Sequence, residues 1–144
     1  MRLTILAAGL GLATLAPVTM RSQNAGADTA AVRAVVERYL HGLKFNDTLA
    51  LRDAFWPEAR LYYVNREGQL AHWTQTSWYA GFAGSVGKEE QGDLRITALE
   101  VTRDIASVKV VEDYPRSRYT DYLSLVKWQG RWWIVNKIYT AEPR

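Results

Sequence analysis

The stretch Thr120-Asp121-Tyr122-Leu123-Ser124-Leu125-Val126-Lys127-Trp128-Gln129-Gly130-Arg131-Trp132-Trp133-Ile134-Val135-Asn136-Lys137 decides the architecture of this chain. Two runs rich in β-branched and aromatic residues flank Gln129-Gly130, a two-residue hairpin signal. With those two residues as the loop, Trp128 lies opposite Arg131, Lys127 opposite Trp132, and Leu125 opposite Ile134. Directly opposed residues share a face, and faces alternate along a strand. One face then carries Asp121, Leu123, Leu125, Trp132, Ile134, Asn136 and Ile138. The other carries Tyr122, Ser124, Val126, Trp128, Trp133, Val135, Lys137 and Tyr139. The Leu/Ile-rich first face is expected to meet helices. That leaves Trp128, Trp133, Val135 and Tyr139 as an outer aromatic patch, the usual mark of a subunit contact. A homodimer through this face is expected, the alternative being a partly solvated ladder of cross-strand aromatic pairs.

Outward from the hairpin, strands continue upstream. Leu94–Val101, Ala106–Tyr114 and Ser117–Trp128 are separated by short connections, and Trp132–Tyr139 closes the series. Earlier, Arg60–Asn65 and Gln69–Trp73 read as two strands around the turn Arg66-Glu67-Gly68. Thr74 is placed to cap a short helix, Gln75–Phe82, followed by a loop containing Gly84, Gly87 and Lys88-Glu89-Glu90. The first element is an amphipathic helix from Asp28 to Lys44. Its apolar stripe is Val32, Val35, Val36, Tyr39, Leu40 and Leu43, with Asp28 as the expected cap. A second helix runs from about Thr48 to Trp56, where Pro57 stops it. The order ααββαββββ predicts an α+β fold, three helices packed on one side of a curved, mainly antiparallel sheet.

Composition narrows the function classes. The 144 residues suit one domain, and six Trp and eight Tyr fall between Tyr39 and Tyr139, which suits a wide apolar interior with polar handles. The formal charge of +3 owes Arg2 and Arg21 to the first 27 residues; the remainder has no Lys/Arg run, so nucleic-acid binding is not expected. There is no cysteine, which excludes disulfides, and the two histidines are far apart, so neither a metal nor any other cofactor is expected. Arg2, the apolar run Leu3–Leu15 and the small residues Ala25-Gly26-Ala27 match an export signal. The expected division is a signal peptide over 1–27 and one domain over 28–144, periplasmic or secreted, with no membrane association once the signal is cleaved.

The first-helix run Val35-Val36-Glu37-Arg38-Tyr39-Leu40, then Asn46-Asp47 and Phe55-Trp56-Pro57-Glu58-Ala59, resembles the opening of the NTF2-like superfamily. The ending from Thr120 to Lys137 is similar to its lumazine-binding, SnoaL-like and ketosteroid isomerase-like branch. The resemblance implies a cone-shaped fold around an internal cavity. It also suggests roles by position, since isomerases of this type use an Asp base with an oxyanion hole of a Tyr and a protonated Asp. Tyr39 matches the oxyanion tyrosine and Asp121 the oxyanion acid. Tyr63 stands at the position of the base, and a phenol, ordinarily ionising near about pH 10, is a poor base.

The candidate catalytic residues are therefore Asp121 and His72. Asp121 is either an acid donating to a ligand oxygen or a carboxylate paired with Arg118 or capping a bulge; His72 is the side-chain type suited to proton transfer near neutrality, or a surface or rim histidine. The candidate ligand-binding residues are Tyr39, Tyr63, Trp73, Trp78, Glu112, Tyr114 and Asn136. The leading expectation is an exported protein holding a small, largely apolar ligand in an aromatic cavity, with no assigned reaction. The alternatives are a cofactor-free lyase, isomerase or cyclase acting on a carbonyl compound, and an assembly domain using its outer sheet face.

Overall fold

A computed structural model describes residues 18–144, with side chains from residue 26 onward. The apolar run Leu3–Leu15 of the expected export signal lies outside the described residues. The element order is α1 (Val18–Lys44), α2 (Thr48–Ala54), β1 (Phe55–Val64), β2 (Leu70–Thr74), α3 (Gln75–Ala80), β3 (Asp93–Thr102), β4 (Ile105–Tyr114), β5 (Ser117–Trp128) and β6 (Arg131–Pro143). The strands form one sheet in the order β2-β1-β6-β5-β4-β3. Only β1 and β6 pair in parallel among the described strands; all other neighbours are antiparallel. This is the expected α+β arrangement of three helices and a mainly antiparallel sheet.

The helices follow their sequence logic with three differences. α1 buries Val32, Val36, Tyr39, Leu40 and Leu43 on one stripe, as the 3.6 period requires. It begins at Val18, however, so Asp28 is not its cap. Instead Asp28 Oδ1 accepts from Lys127 Nζ at 2.6 Å and from Trp132 Nε1 at 3.2 Å, fastening the helix to the β5–β6 hairpin. α2 is capped by Asp47, whose side chain accepts from the Leu49 and Ala50 amides, and it ends at Ala54 rather than Trp56. Phe55 and Trp56 already belong to β1. Pro57 is accommodated there because pairing with β6 is irregular between Phe55 and Arg60, where no ladder donor is needed. α3 opens on a reciprocal capping box between Thr74 and Ser77 and stops at Ala80, two residues short of the expected end.

The β5–β6 hairpin has the predicted loop. Gln129 (φ 48°) and Gly130 (φ 77°) both adopt left-handed conformations, and Trp128 pairs with Arg131, Lys127 with Trp132, Leu125 with Ile134. Beyond that point the register changes. Ser124 pairs with Asn136, leaving Val135 as the extra residue of a β-bulge. One extra residue reverses every facing after it. Lys137 and Tyr139 therefore join the inner face, whereas Asn136 and Ile138 turn outward, the reverse of the assignment by strict alternation. Lys137 is 4% exposed and Ile138 49%.

The outer face changes accordingly. Trp128 and Trp133 do remain off the core, but both pack edge-on against Trp56, with ring centroids 5.3 and 5.7 Å apart. Arg131 covers Trp133 at 3.9 Å from its ring centroid. Tyr139 leaves the expected patch altogether. In its place, cross-strand pairing aligns Tyr62, Ile138 and Tyr122 in one outward row. The main core lies between the inner sheet face and the stripe of α1, joined by Leu51 and Phe55.

Candidate functional site

Three adjacent strands each contribute one buried polar side chain beneath α1. Glu112 comes from β4, Asp121 from β5 and Lys137 from β6, all on the inner face, and Tyr39 descends from α1 onto them. Lys137 Nζ donates to Tyr39 Oη at 2.7 Å and lies 2.7 Å from Asp121 Oδ2 and 3.9 Å from Glu112 Oε1. Tyr39 Oη is 2.5 Å from Asp121 Oδ2 and 2.9 Å from Glu112 Oε1. Asp121 Oδ1 is buried without a hydrogen-bond partner.

Proton counting constrains this cluster. A phenol carries one proton and can donate it once. Tyr39 accepts from Lys137 and is within reach of both carboxyls, so its single proton serves only one of them; the other contact needs a carboxyl proton, and burial favours placing that proton on Glu112. The satisfied state is thus an ammonium, a carboxylate on Asp121, a neutral phenol and a neutral carboxylic acid on Glu112, with no net charge. The electrostatics agree. Burial pushes Glu112 up to about 8, Lys137 acts against that rise, and the charge of Asp121 adds to it. Burial also drives Tyr39 well above the phenol range, with the Asp121 carboxylate adding to the effect, so it remains neutral. For Lys137, burial works to lower the pKa, but the Asp121 carboxylate more than offsets it and holds the group up as an ammonium.

This cluster forms the polar end of an aromatic cavity of about 690 Å³, open to solvent on one side. Glu112 and Lys137 line it directly, and Trp73, Trp78, Phe82, Tyr114, Tyr119 and Tyr139 supply aromatic walls. α3 places Trp78 against Phe55, Tyr39 and Phe82, while Trp73 Nε1 donates to Tyr139 Oη at 3.1 Å across the opening strands. Burial raises Tyr114 as well, aided by the charge of Asp121, so its hydroxyl remains a neutral donor. The loop after α3 completes the mouth and is fastened to the end of α1: Lys44 Nζ donates to the Glu90 and Gly92 carbonyls, and Asn46 Nδ2 to Lys88 O and Glu90 Oε1. Among the described residues no group of three or more His, Asp or Glu side chains is arranged to hold a metal ion.

The candidates read from sequence divide clearly. Trp73, Trp78, Glu112 and Tyr114 line the cavity, and Tyr39 and Asp121 lie immediately behind its polar end. Asp121 pairs with Lys137, not Arg118; Arg118 instead binds Asp113 at 2.6 Å. Tyr63 stacks on Trp73 and packs against Tyr139, supporting the wall from behind. His72 is exposed on the other face of β2, 5.5 Å from the Tyr62 ring, away from the cavity. Asn136 also faces away from it because of the Val135 bulge. Missed among the lining residues are Phe82, Tyr119, Tyr139 and, above all, Lys137. The signal for Lys137 was the buried Asp121, which needs a nearby cation.

A six-stranded mixed sheet, three helices and an internal cavity define an NTF2-like protein. A sequence model of the family described as "Putative lumazine-binding" matches residues 27–140, and the chain belongs to that family. It is 28% identical over 116 residues to Aldolase FrzH of Cladobotryum sp, covering 79% of this chain and 91% of that one. Among solved structures it is similar to an NTF2-like protein of unknown function from Silicibacter pomeroyi DSS-3, with a TM-score of 0.71 and 27% identity over 81% of this chain and 98% of the other. A ketosteroid isomerase-like protein from Erwinia carotovora atroseptica SCRI1043 superposes with a TM-score of 0.61 at 16% identity, covering 79% and 95% of the two chains; at that identity the likeness is one of fold.

Proposed function

We propose that the protein is a cofactor-free enzyme that holds a small, largely apolar carbonyl compound in the aromatic cavity and moves a proton on it, with Glu112 as the acid–base group. The observation carrying this reading is that a buried carboxyl and a buried ammonium both line the cavity. Resemblance to the isomerases left the base unaccounted for, because Tyr63 stands at its position. Glu112, from a different strand, can take that role, since burial moves it to about 8, near working pH. In its carboxylate form it removes a proton from the carbon beside the carbonyl, and the C–H electron pair becomes a C=C bond as the carbonyl pair moves to oxygen. Returning that proton to a different carbon isomerises the compound. Attack of the enolate on a second carbonyl, with the proton passing to the new alkoxide, is an aldol step. The name of Aldolase FrzH supports including carbon–carbon chemistry of this kind.

The test is solvent exchange. A panel of aryl ketones is incubated with the protein in deuterated water, and NMR follows loss of the α-proton signal. Exchange above the buffer rate that disappears in Glu112→Gln is the expected result. Compounds that quench tryptophan fluorescence yet exchange no proton would instead establish a binding protein without a reaction.

Two further features belong to this reading. The outward row of Tyr62, Ile138 and Tyr122 supports a homodimer through the outer sheet face, tested by sedimentation of wild type against Tyr122→Lys. The pattern from Arg2 to Ala27 supports export with cleavage before Asp28, tested by N-terminal sequencing of protein recovered from its source.

A further inference from the structure

The side chain of Lys137 invites a second mechanism, because a lysine lining a cavity can attack a carbonyl carbon and form an imine. That step needs a neutral amine with a free lone pair. The surroundings of Lys137 oppose it on every side. Nζ contacts the carboxylate of Asp121 at 2.7 Å and donates to Tyr39 at 2.7 Å. It also stands over three rings, 4.8 Å from the centroid of Tyr139, 5.3 Å from Tyr39 and 5.7 Å from Trp78. A negative ring face within about 6 Å favours a cation, not an amine.

An ammonium has three donors. Two are directed to Asp121 and Tyr39, and Glu112 Oε1, at 3.9 Å, is beyond hydrogen-bond distance of the third. Resting on the carbonyl chemistry proposed above, we infer that Lys137 is the oxyanion-binding residue of the site: its third N–H receives the carbonyl oxygen of the substrate and holds it as the enolate, without covalent attachment. The proton leaving the α-carbon goes to Glu112, and the negative charge that develops on oxygen is met by a cation already fixed by Asp121. No bond forms between Nζ and the substrate. Tyr39 and Asp121, which the isomerase resemblance would aim at the substrate, act here as positioning residues for the ammonium. The recognised class is a compound whose oxygen becomes anionic beside an apolar or aromatic body, as an enolate or a phenolate does.

4-Nitrophenol is a suitable probe, since its phenolate absorbs visibly and mimics an enolate. It is titrated into the full chain at a pH about one unit below its free pKa, while tryptophan fluorescence reports entry into the cavity. The expected result is binding with appearance of the phenolate band, corresponding to an acidity raised about tenfold or more by a hydrogen bond from a charged donor. The double variant Lys137→Met, Asp121→Asn, which removes both buried charges together, should bind the probe in its neutral form. In parallel, wild type is treated with benzaldehyde and borohydride and mapped by peptide mass. Exposed Lys88 should become benzylated and Lys137 should not. A benzylated Lys137, or probe bound only as the neutral phenol, overturns the inference and leaves the cavity reading standing. Failure of both probes to perturb tryptophan fluorescence overturns both.

Discussion

Replacing Glu112 by glutamine preserves the shape of the side chain and removes the cluster proton that titrates nearest neutrality. In the folded protein Glu112 ionises at about 8, against an ordinary value of 4.5. Its folded pKa is raised, so between those two values the native state binds a proton that the unfolded chain has lost. Stability therefore falls as pH rises through this window and levels off above about 8. From about pH 6 to about pH 9 the loss spans roughly two pH units, or about 2–3 kcal/mol. Glutamine cannot ionise, so the variant lacks this dependence, while every other titrating side chain is common to both proteins. Urea unfolding of wild type and Glu112→Gln at several pH values isolates the difference. The variant should gain about 2–3 kcal/mol on wild type between pH 6 and pH 9. A gap that stays constant with pH, or moves in favour of wild type, would refute the argument that the cluster stores a proton on Glu112.

Other perturbations probe the supports of the site. Lys137→Met alone leaves Asp121 as an uncompensated buried charge and should cost about 3–5 kcal/mol in chemical denaturation; adding Asp121→Asn should recover most of it. Gly42→Ala would ordinarily favour a helix by about 1 kcal/mol. Here a new Cβ would stand 2.5 Å from Leu51 Cδ2 and 2.7 Å from Leu51 Cγ, so the variant should instead lower stability by about 1–3 kcal/mol, read from the thermal midpoint. Asn136→Ala, on the outer face, should stay within about 0.5 kcal/mol of wild type and leave phenol binding unchanged, as measured by fluorescence titration.

The fold was legible because its determinants are local and repeated. The α1 stripe from Val32 to Leu43, the Thr74 cap and the Gln129-Gly130 loop each specify their element with no reference to distant contacts. The helix start was misread because Asp28 is a good capping residue, yet its carboxylate is taken by Lys127 and Trp132, which meet it only in three dimensions. Glu112 and Tyr114 followed from strand alternation, which holds through the second half of β4, and Trp78 from the side of α3 it occupies. The polar end did not. The run Trp132-Trp133-Ile134-Val135 is apolar on both faces, so nothing in its pattern marks Val135 as a bulge, and that single residue exchanges Asn136 for Lys137 inside the protein. His72 looked catalytic by chemistry alone; its position at an exposed site of β2 follows from register against Tyr62, which the sequence does not print.

A carbon-13 NMR titration of protein labelled at glutamate side-chain carboxyls tests the account most directly. One resonance, missing in Glu112→Gln, should titrate at about 8, and adding 4-nitrophenol should shift that one resonance. A Glu112 resonance that titrates at its ordinary value of 4.5 and ignores the phenol would contradict the central claim that a buried, proton-storing carboxyl faces the ligand.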